Sequence, residues 1–254
     1  MTHASQNDIK LLRKLRQRKY REREELFFIE GKRAVEQILT NGIIEVVEVY
    51  ISENIDFRTG KAAIKTVSES DFKDIADTDS PQGILALCKK PQEIQLSALL
   101  LKEGVIVVTD EIQDPGNLGT IIRTASWFGA KALIAGAGTV DVFHPKVVRS
   151  TAGATGSLPV LSGDLSVILP IFEQNGWQIL LLDGNVGATP LTELKPRNKI
   201  LLVVGNEANG IHKNLFSDKR LRVKIPSSGQ DSKVESLNAA IALGIALWVV
   251  NIPC

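Results

Sequence analysis

Three stretches of this chain gather glycine with amide, hydroxyl, carboxylate and guanidinium side chains, groups that hold and orient a ligand. In residues 110–125, Pro115, Gly116 and Asn117 turn the chain, and Asn117 or a neighbour can cap the helix that follows. Arg123 lies six residues beyond Asn117, less than two helical turns, so both side chains can face one cleft. A cap plus a surface arginine explains the same residues. The second stretch, residues 203–210, leaves an apolar run through Val204 and Gly205 and continues through Asn206, Glu207 and Gly210. Glycines there admit close backbone approach to a ligand, although an ordinary strand-to-helix turn needs them too. The third runs from Ile225 and Pro226 to Glu235, Ser236, Leu237 and Asn238. Ser236 or Asn238 can equally serve as the cap of an apolar helix.

Two phosphate-binding signatures fail. Gly205 and Gly210 have P-loop spacing, but Ile211 and His212 stand where Lys and Ser/Thr are required. Gly136 and Gly138 follow an apolar run as in a dinucleotide fingerprint, but Asp141 occupies the third glycine position. His3, His144 and His212 are scattered, and no CxxC pair occurs, so no metal site is expected. Cys88 and Cys254 form no framework, which points to a reducing compartment and a cytoplasmic location. The polar, basic start lacks a following apolar region, which argues against a secretory signal. Residues 236–254 fall short of a membrane span, so no membrane partner is expected.

These stretches need a scaffold. Residues 105–109, 132–135, 179–182 and 200–204 are continuous apolar runs, the pattern of strands covered on both faces in a parallel sheet. Helical patterns over residues 118–128, 165–174 and 237–250 alternate with them. The expected class is α/β, with ligands at the carboxyl ends of the strands. Before this part, residues 31–41 read as a helix ended by Gly42, residues 46–51 and 83–87 as strands, and 69–76 as a helix. The polar break at 89–93 reads as a linker, dividing a domain over 1–92 from one over 93–254.

Charge is distributed unevenly. Net charge is +1, which excludes a protein that binds nucleic acid by bulk charge alone. Residues 1–25 nevertheless hold eight Lys/Arg against Asp8, Glu22, Glu24 and Glu25, net +4, leaving −3 for the rest. Residues 8–25 read as an exposed basic helix: either a solvated face or a phosphate-binding one, with Tyr20 as a stacking candidate. Phe27 and Phe28 are assigned to the core.

Taken together, Asp110…Asp114-Pro115-Gly116-Asn117…Arg123-Thr124-Ala125, then Val204-Gly205-Asn206-Glu207…Gly210, then Ile225-Pro226…Glu235-Ser236-Leu237-Asn238 resemble the three motifs of the SpoU/TrmH family. The resemblance covers about residues 105–250. Phe28-Ile29-Glu30-Gly31 and Pro81-Gln82-Gly83 are similar to the small ribosomal-protein-like α/β domain that many members carry N-terminally. The resemblance implies an S-adenosylmethionine-dependent RNA ribose 2′-O-methyltransferase with a knotted SPOUT domain, formed by threading the C-terminal segment through a loop. It implies that Asn117, Arg123, Glu207, Ser236 and Asn238 serve catalysis, and that Val204, Gly205, Asn206, Gly210, Ile225 and Leu237 hold the cofactor. The loop between Pro226 and Glu235 is longer than in many members, and Ser227 replaces a common Met.

Arg123 matches a residue proposed in the family to take the 2′-OH proton. A charged guanidinium has no acceptor, so gripping the adjacent phosphate and stabilising negative charge on the 2′-oxygen is the better role. The apolar segment 237–250 reads as a core helix or, by the resemblance, as half of a homodimer interface. Ribosomal RNA is the expected substrate, with tRNA as the alternative. The rival class is a non-catalytic RNA-binding or ribosome-assembly factor on the same scaffold.

Overall fold

Ser5 and Asp8 cap each other reciprocally, so a helix starts directly after a two-residue strand, β1 (Thr2–His3). The computed structural model describes residues 2–184, 187–195, 197–227 and 236–251. The chain divides into two compact units, Met1–Gln92 with Asp141–Gly156, and Glu93–Val140 with Ser157–Cys254.

In the first unit the expected basic helix over 8–25 is two helices, α1 (Gln6–Leu15) and α2 (Arg18–Glu24), separated where Gln17 is extended. Nor is the segment simply exposed. Ile9, Leu12 and Leu15 repeat at helical spacing and join a core with Phe28, Tyr50, Phe72 and Leu85. Arg21 is only 2% exposed. Then come β2 (Leu26–Glu30), α3 (Lys32–Asn41), β3 (Val46–Ser52), β4 (Ala63–Val67), α4 (Glu69–Ile75) and β5 (Ile84–Lys89). Gly42 ends α3 in the left-handed conformation that glycine adopts without a Cβ penalty. The sheet order is β1-β4-β3-β5-β2, with β5 antiparallel to both its neighbours. Phe27 and Phe28 are buried, as expected.

The second unit begins with α5 (Leu96–Leu100), β6 (Gly104–Thr109), α6 (Pro115–Trp127) and β7 (Leu133–Gly136). The chain then returns to the first unit for residues 141–156, which hold α7 (Pro145–Ser150). Phe143 and Val148 of this return segment join the core of Phe27, Val35, Ile38 and Val49. Arg21 donates from Nε and Nη2 to Asp141 Oδ2, at 2.8 and 2.5 Å, and from Nη1 to the Leu15 carbonyl. Back in the second unit follow β8 (Val160–Gly163), α8 (Leu165–Gln174), β9 (Gln178–Leu182), β10 (Thr189–Pro190), β11 (Lys199–Val204), β12 (Leu221–Lys224) and α9 (Ala239–Asn251).

The seven strands are ordered β10-β12-β9-β11-β6-β7-β8, and each pairing is parallel. Residues such as Ile106, Val108, Leu201 and Val203 are fully buried in one core with Phe172 and Trp177, which explains the uninterrupted apolar runs. From β6 the chain moves outward through β7 and β8, then crosses to β9, and later inserts β11 beside β6. The β6/β11 pair is therefore a topological switch point, where ligands bind beyond the strand ends.

Candidate active site

Parallel pairing brings the loops after β6, β7, β11 and β12 to one edge of the sheet. Asp114 is the cap of α6: its carboxylate accepts from the Asn117 amide at 2.7 Å, and Pro115 starts the helix. Relieved of capping, the Asn117 side chain is free to reach across. Its Nδ2 donates to Glu207 Oε1 at 2.6 Å, and its Oδ1 accepts from Asn238 Nδ2 at 2.9 Å. Asn238 is also the cap of α9, because its Oδ1 accepts from the Ala240 and Ile241 amides at the start of that helix. One residue from each sequence motif thus meets in a single chain of hydrogen bonds.

Glu207 is carried on a tight five-residue loop. Asn206 and Gly210 exchange backbone hydrogen bonds of 3.0 and 2.9 Å. A Cβ on Gly205 would lie 2.3 Å from the Gly210 carbonyl carbon and 2.4 Å from the Ile211 nitrogen, so only glycine lets the loop close on the strand end. The Asn206 side chain is engaged in this loop. Its Oδ1 accepts from the Ala208 and Asn209 amides, and its Nδ2 donates to the Glu111 carbonyl.

Arg123 is exposed on α6 and makes no hydrogen bond or ion pair among the described residues. Ser236 is likewise exposed and outside the network, so geometry joins Asn117, Glu207 and Asn238 but not these two. Val204 ends β11, Ile225 directly follows β12, and Leu237 is 47% exposed just before α9. The long loop after Pro226, with Ser228, Gly229 and Glu235, lies outside the described residues.

Asp110 opens the first motif but has no role assigned to it by the sequence. Its carboxylate is buried and accepts from the His212 amide at 2.7 Å, tying the loop after β6 to the one after β11. Burial pushes its pKa up; the His212 amide works against that shift and neighbouring Glu111 adds to it. A charged residue directly after five apolar or small strand positions was the available signal.

These strand ends fit S-adenosylmethionine. Gly205 brings bare backbone to the end of β11, and the partly exposed apolar Ile225 and Leu237 stand at the end of β12 and before α9, residues suited to a ligand with a flat base and a polar amino-acid end. No group of His, Cys, Asp and Glu able to hold a metal occurs among the described residues. No described helix is long and apolar enough to cross a membrane.

The strand-end loops of this parallel α/β sheet thus carry an amide–carboxylate network beside an arginine whose side chain has no partner among the described residues. Residues 104–248 match the SpoU rRNA methylase family and residues 6–86 the MRM3-like substrate binding domain. The chain belongs to the SpoU rRNA methylase family, with the SPOUT fold and S-adenosylmethionine as its cofactor. It is 33% identical to the Bacillus subtilis 23S rRNA (guanosine(2553)-2′-O)-methyltransferase RlmP, over 96% of each chain. The Coxiella burnetii 23S rRNA (guanosine-2′-O-)-methyltransferase RlmB is 28% identical over 88% of this chain and 94% of its own. An S-adenosylmethionine-bound rRNA methyltransferase from Sinorhizobium meliloti superposes with a TM-score of 0.84 at 27% identity, covering 98% of this chain and 96% of that one.

Proposed function

We propose that the chain transfers a methyl group from S-adenosylmethionine to a ribose 2′-OH of ribosomal RNA, using Asn117, Arg123, Glu207, Ser236 and Asn238. The hydrogen-bonded line Glu207–Asn117–Asn238 carries this reading, because it unites three distant sequence motifs at one sheet edge. When bound, S-adenosylmethionine supplies a sulfonium methyl group open to in-line attack by an oxygen. The protein's task is then to hold that oxygen in place, and positioning alone can be worth effective molarities of about 10⁵–10⁸ M. Arg123, free of internal partners, is available to a phosphate and to the charge that develops on the 2′-oxygen. Glu207 and Asn238 fix the Asn117 amide, so that it orients Arg123 or the ribose. Val204, Gly205, Gly210, Ile225 and Leu237 form the cofactor's cradle through backbone groups and apolar contact, with Asn206 shaping the loop from within.

The first unit serves as the substrate-binding part, in keeping with its match to that domain. Relatives named for guanosine in 23S rRNA make that nucleoside in 23S rRNA the substrate to test first, in the cytoplasm. The α9 helix favours a homodimer: Ile241, Ile245 and Trp248, at helical spacing, are 56, 37 and 60% exposed, and Trp127 of α6 is 85% exposed. Its opposite face, with Leu243, Ala246, Leu247 and Val250, is buried.

The test is incubation of the purified protein with methyl-labelled S-adenosylmethionine and 23S rRNA, tRNA or no RNA, followed by mapping of 2′-O-methyl ribose. Label on one 23S ribose is expected. Label confined to tRNA, or none with any RNA, overturns the rRNA reading. Sedimentation of Ile241→Arg should show a monomer where the wild type shows a dimer.

A further inference from the structure

The basic start of the first unit sorts its charges into two sets. Arg13 pairs with Asp74 at 2.6 Å, Arg18 with Glu22 at 2.6 Å, and Arg23 with Glu24. Arg21 is buried on Asp141. Asp8 is held by the Ser5 cap and by Lys65 at 3.1 Å. What remains without a carboxylate partner among the described residues is Lys10, Lys14, Arg16 and Lys19, all exposed, against the single exposed Glu25.

The unpaired cations are also gathered. Lys10 and Lys14 are four apart on α1, on the side away from Ile9, Leu12 and Leu15. Lys14 Nζ and Lys19 Nζ lie 5.7 and 4.8 Å from the Tyr20 ring centre, and the Arg23 guanidinium lies 5.0 Å from it. Three cations around one ring repel each other, and the ring's face offsets only part of this. An anion placed among them relieves the rest. A ring already covered by cations offers no bare face, so Tyr20 organises charge here rather than stacking on a base.

We infer that Lys10, Lys14, Arg16 and Lys19, the unpaired cations of α1 and the start of α2, with Lys14 and Lys19 against Tyr20, form a docking surface for the RNA sugar-phosphate backbone. The inference deepens the proposed function and rests on the reading of the chain as an RNA methyltransferase. Contacts of this kind position RNA without reading its sequence, and each one releases counterions.

The experiment measures binding of the full chain to a 23S rRNA transcript across a salt series, alongside methyl transfer. One variant carries Lys10→Gln, Lys14→Gln, Arg16→Gln and Lys19→Gln; a control carries Arg13→Gln and Arg18→Gln, exposed cations already paired with Asp74 and Glu22. All six sites are exposed, and thermal unfolding confirms that each variant is folded. For the fourfold variant, the slope of log affinity against log salt should flatten by about 0.7–0.9 for each phosphate that is no longer neutralised. The control should stay near the wild-type slope, and Tyr20→Phe should match wild type. An unchanged slope in the fourfold variant, with wild type binding and methylating, overturns the docking surface alone. A slope that flattens as expected while wild type methylates no RNA leaves the surface standing and overturns the enzymatic reading. No wild-type binding overturns both.

Discussion

Both units tie a buried arginine to a carboxylate, Arg21 to Asp141 in the first and Arg220 to Glu173 in the second, but they differ in the polar groups left at the surface. The first pairs several of its charges and leaves a set of lysines open. Arg21 sits on Asp141, Arg149 bonds Asp77 at 3.0 Å, and Lys65 bridges Asp8 and Glu48 at 3.1 and 2.9 Å. Burial works against the Lys65 charge, yet its bonds to Glu48 and Asp8 more than reverse this and raise its pKa. The second unit pairs Arg220 with Glu173 and Arg222 with Asp183, and at its strand ends Asn117, Glu207 and Asn238 bond one another while the Arg123 side chain stays unpaired among the described residues. Paired charge in the first unit fixes structure. The unpaired Arg123 in the second is the group proposed above to serve a substrate.

The contrast can be broken from either side. At the cofactor side the test is Gly205→Ala. The added Cβ strikes backbone, so the loop must open, and calorimetry should show S-adenosylmethionine affinity reduced by more than about tenfold, equivalent to about 1.4 kcal/mol. Near-normal affinity would remove the close approach from the account. Arg123→Ala should slow methyl transfer by about 10²–10³-fold while cofactor affinity is kept, the pattern of a lost charge-stabilising donor. Loss of cofactor binding instead would take Arg123 away from the substrate.

On the structural side, Arg21→Met should cost about 3 kcal/mol in unfolding measurements by stranding the Asp141 carboxylate. Cofactor affinity of the folded protein should be untouched. A stability change well below about 1 kcal/mol would show that the pair is dispensable.

The smallest effect concerns Asp110. Because its folded pKa is raised, the folded state holds its proton more tightly than the unfolded chain does. Stability from this group is therefore fullest at low pH and declines as pH rises from the ordinary carboxylate value through the raised one. Asp110→Asn should flatten that decline in pH-dependent unfolding; an identical pH profile would deny the shift.

Much of the second unit is legible in sequence because strands buried on both faces carry no competing pattern, so residues 105–109 and 200–204 read directly as β6 and β11. Short elements such as β8, β10 and α7 escape, since four residues of strand or one and a half turns of helix hold too little periodicity. The split of the basic helix at Gln17 carries no proline or glycine to mark it. At the site, motif order identifies Asn117, Glu207 and Asn238, but only the fold shows that Asp114 takes over the capping and releases Asn117. The resemblance places Asn206 at the cofactor, and the fold adds that its side chain shapes the loop through bonds to 208, 209 and 111.

The central claim is that Asn117 and Glu207, 90 residues apart, act as one positioning device. Single-turnover methyl transfer by Asn117→Ala, Glu207→Ala and the double variant tests it most directly. If the two act as a unit, the double variant is no slower than the slower single one, because either change already dismantles the device. Losses that multiply would mean the two residues work independently, and the network would then be a feature of the fold rather than of the chemistry.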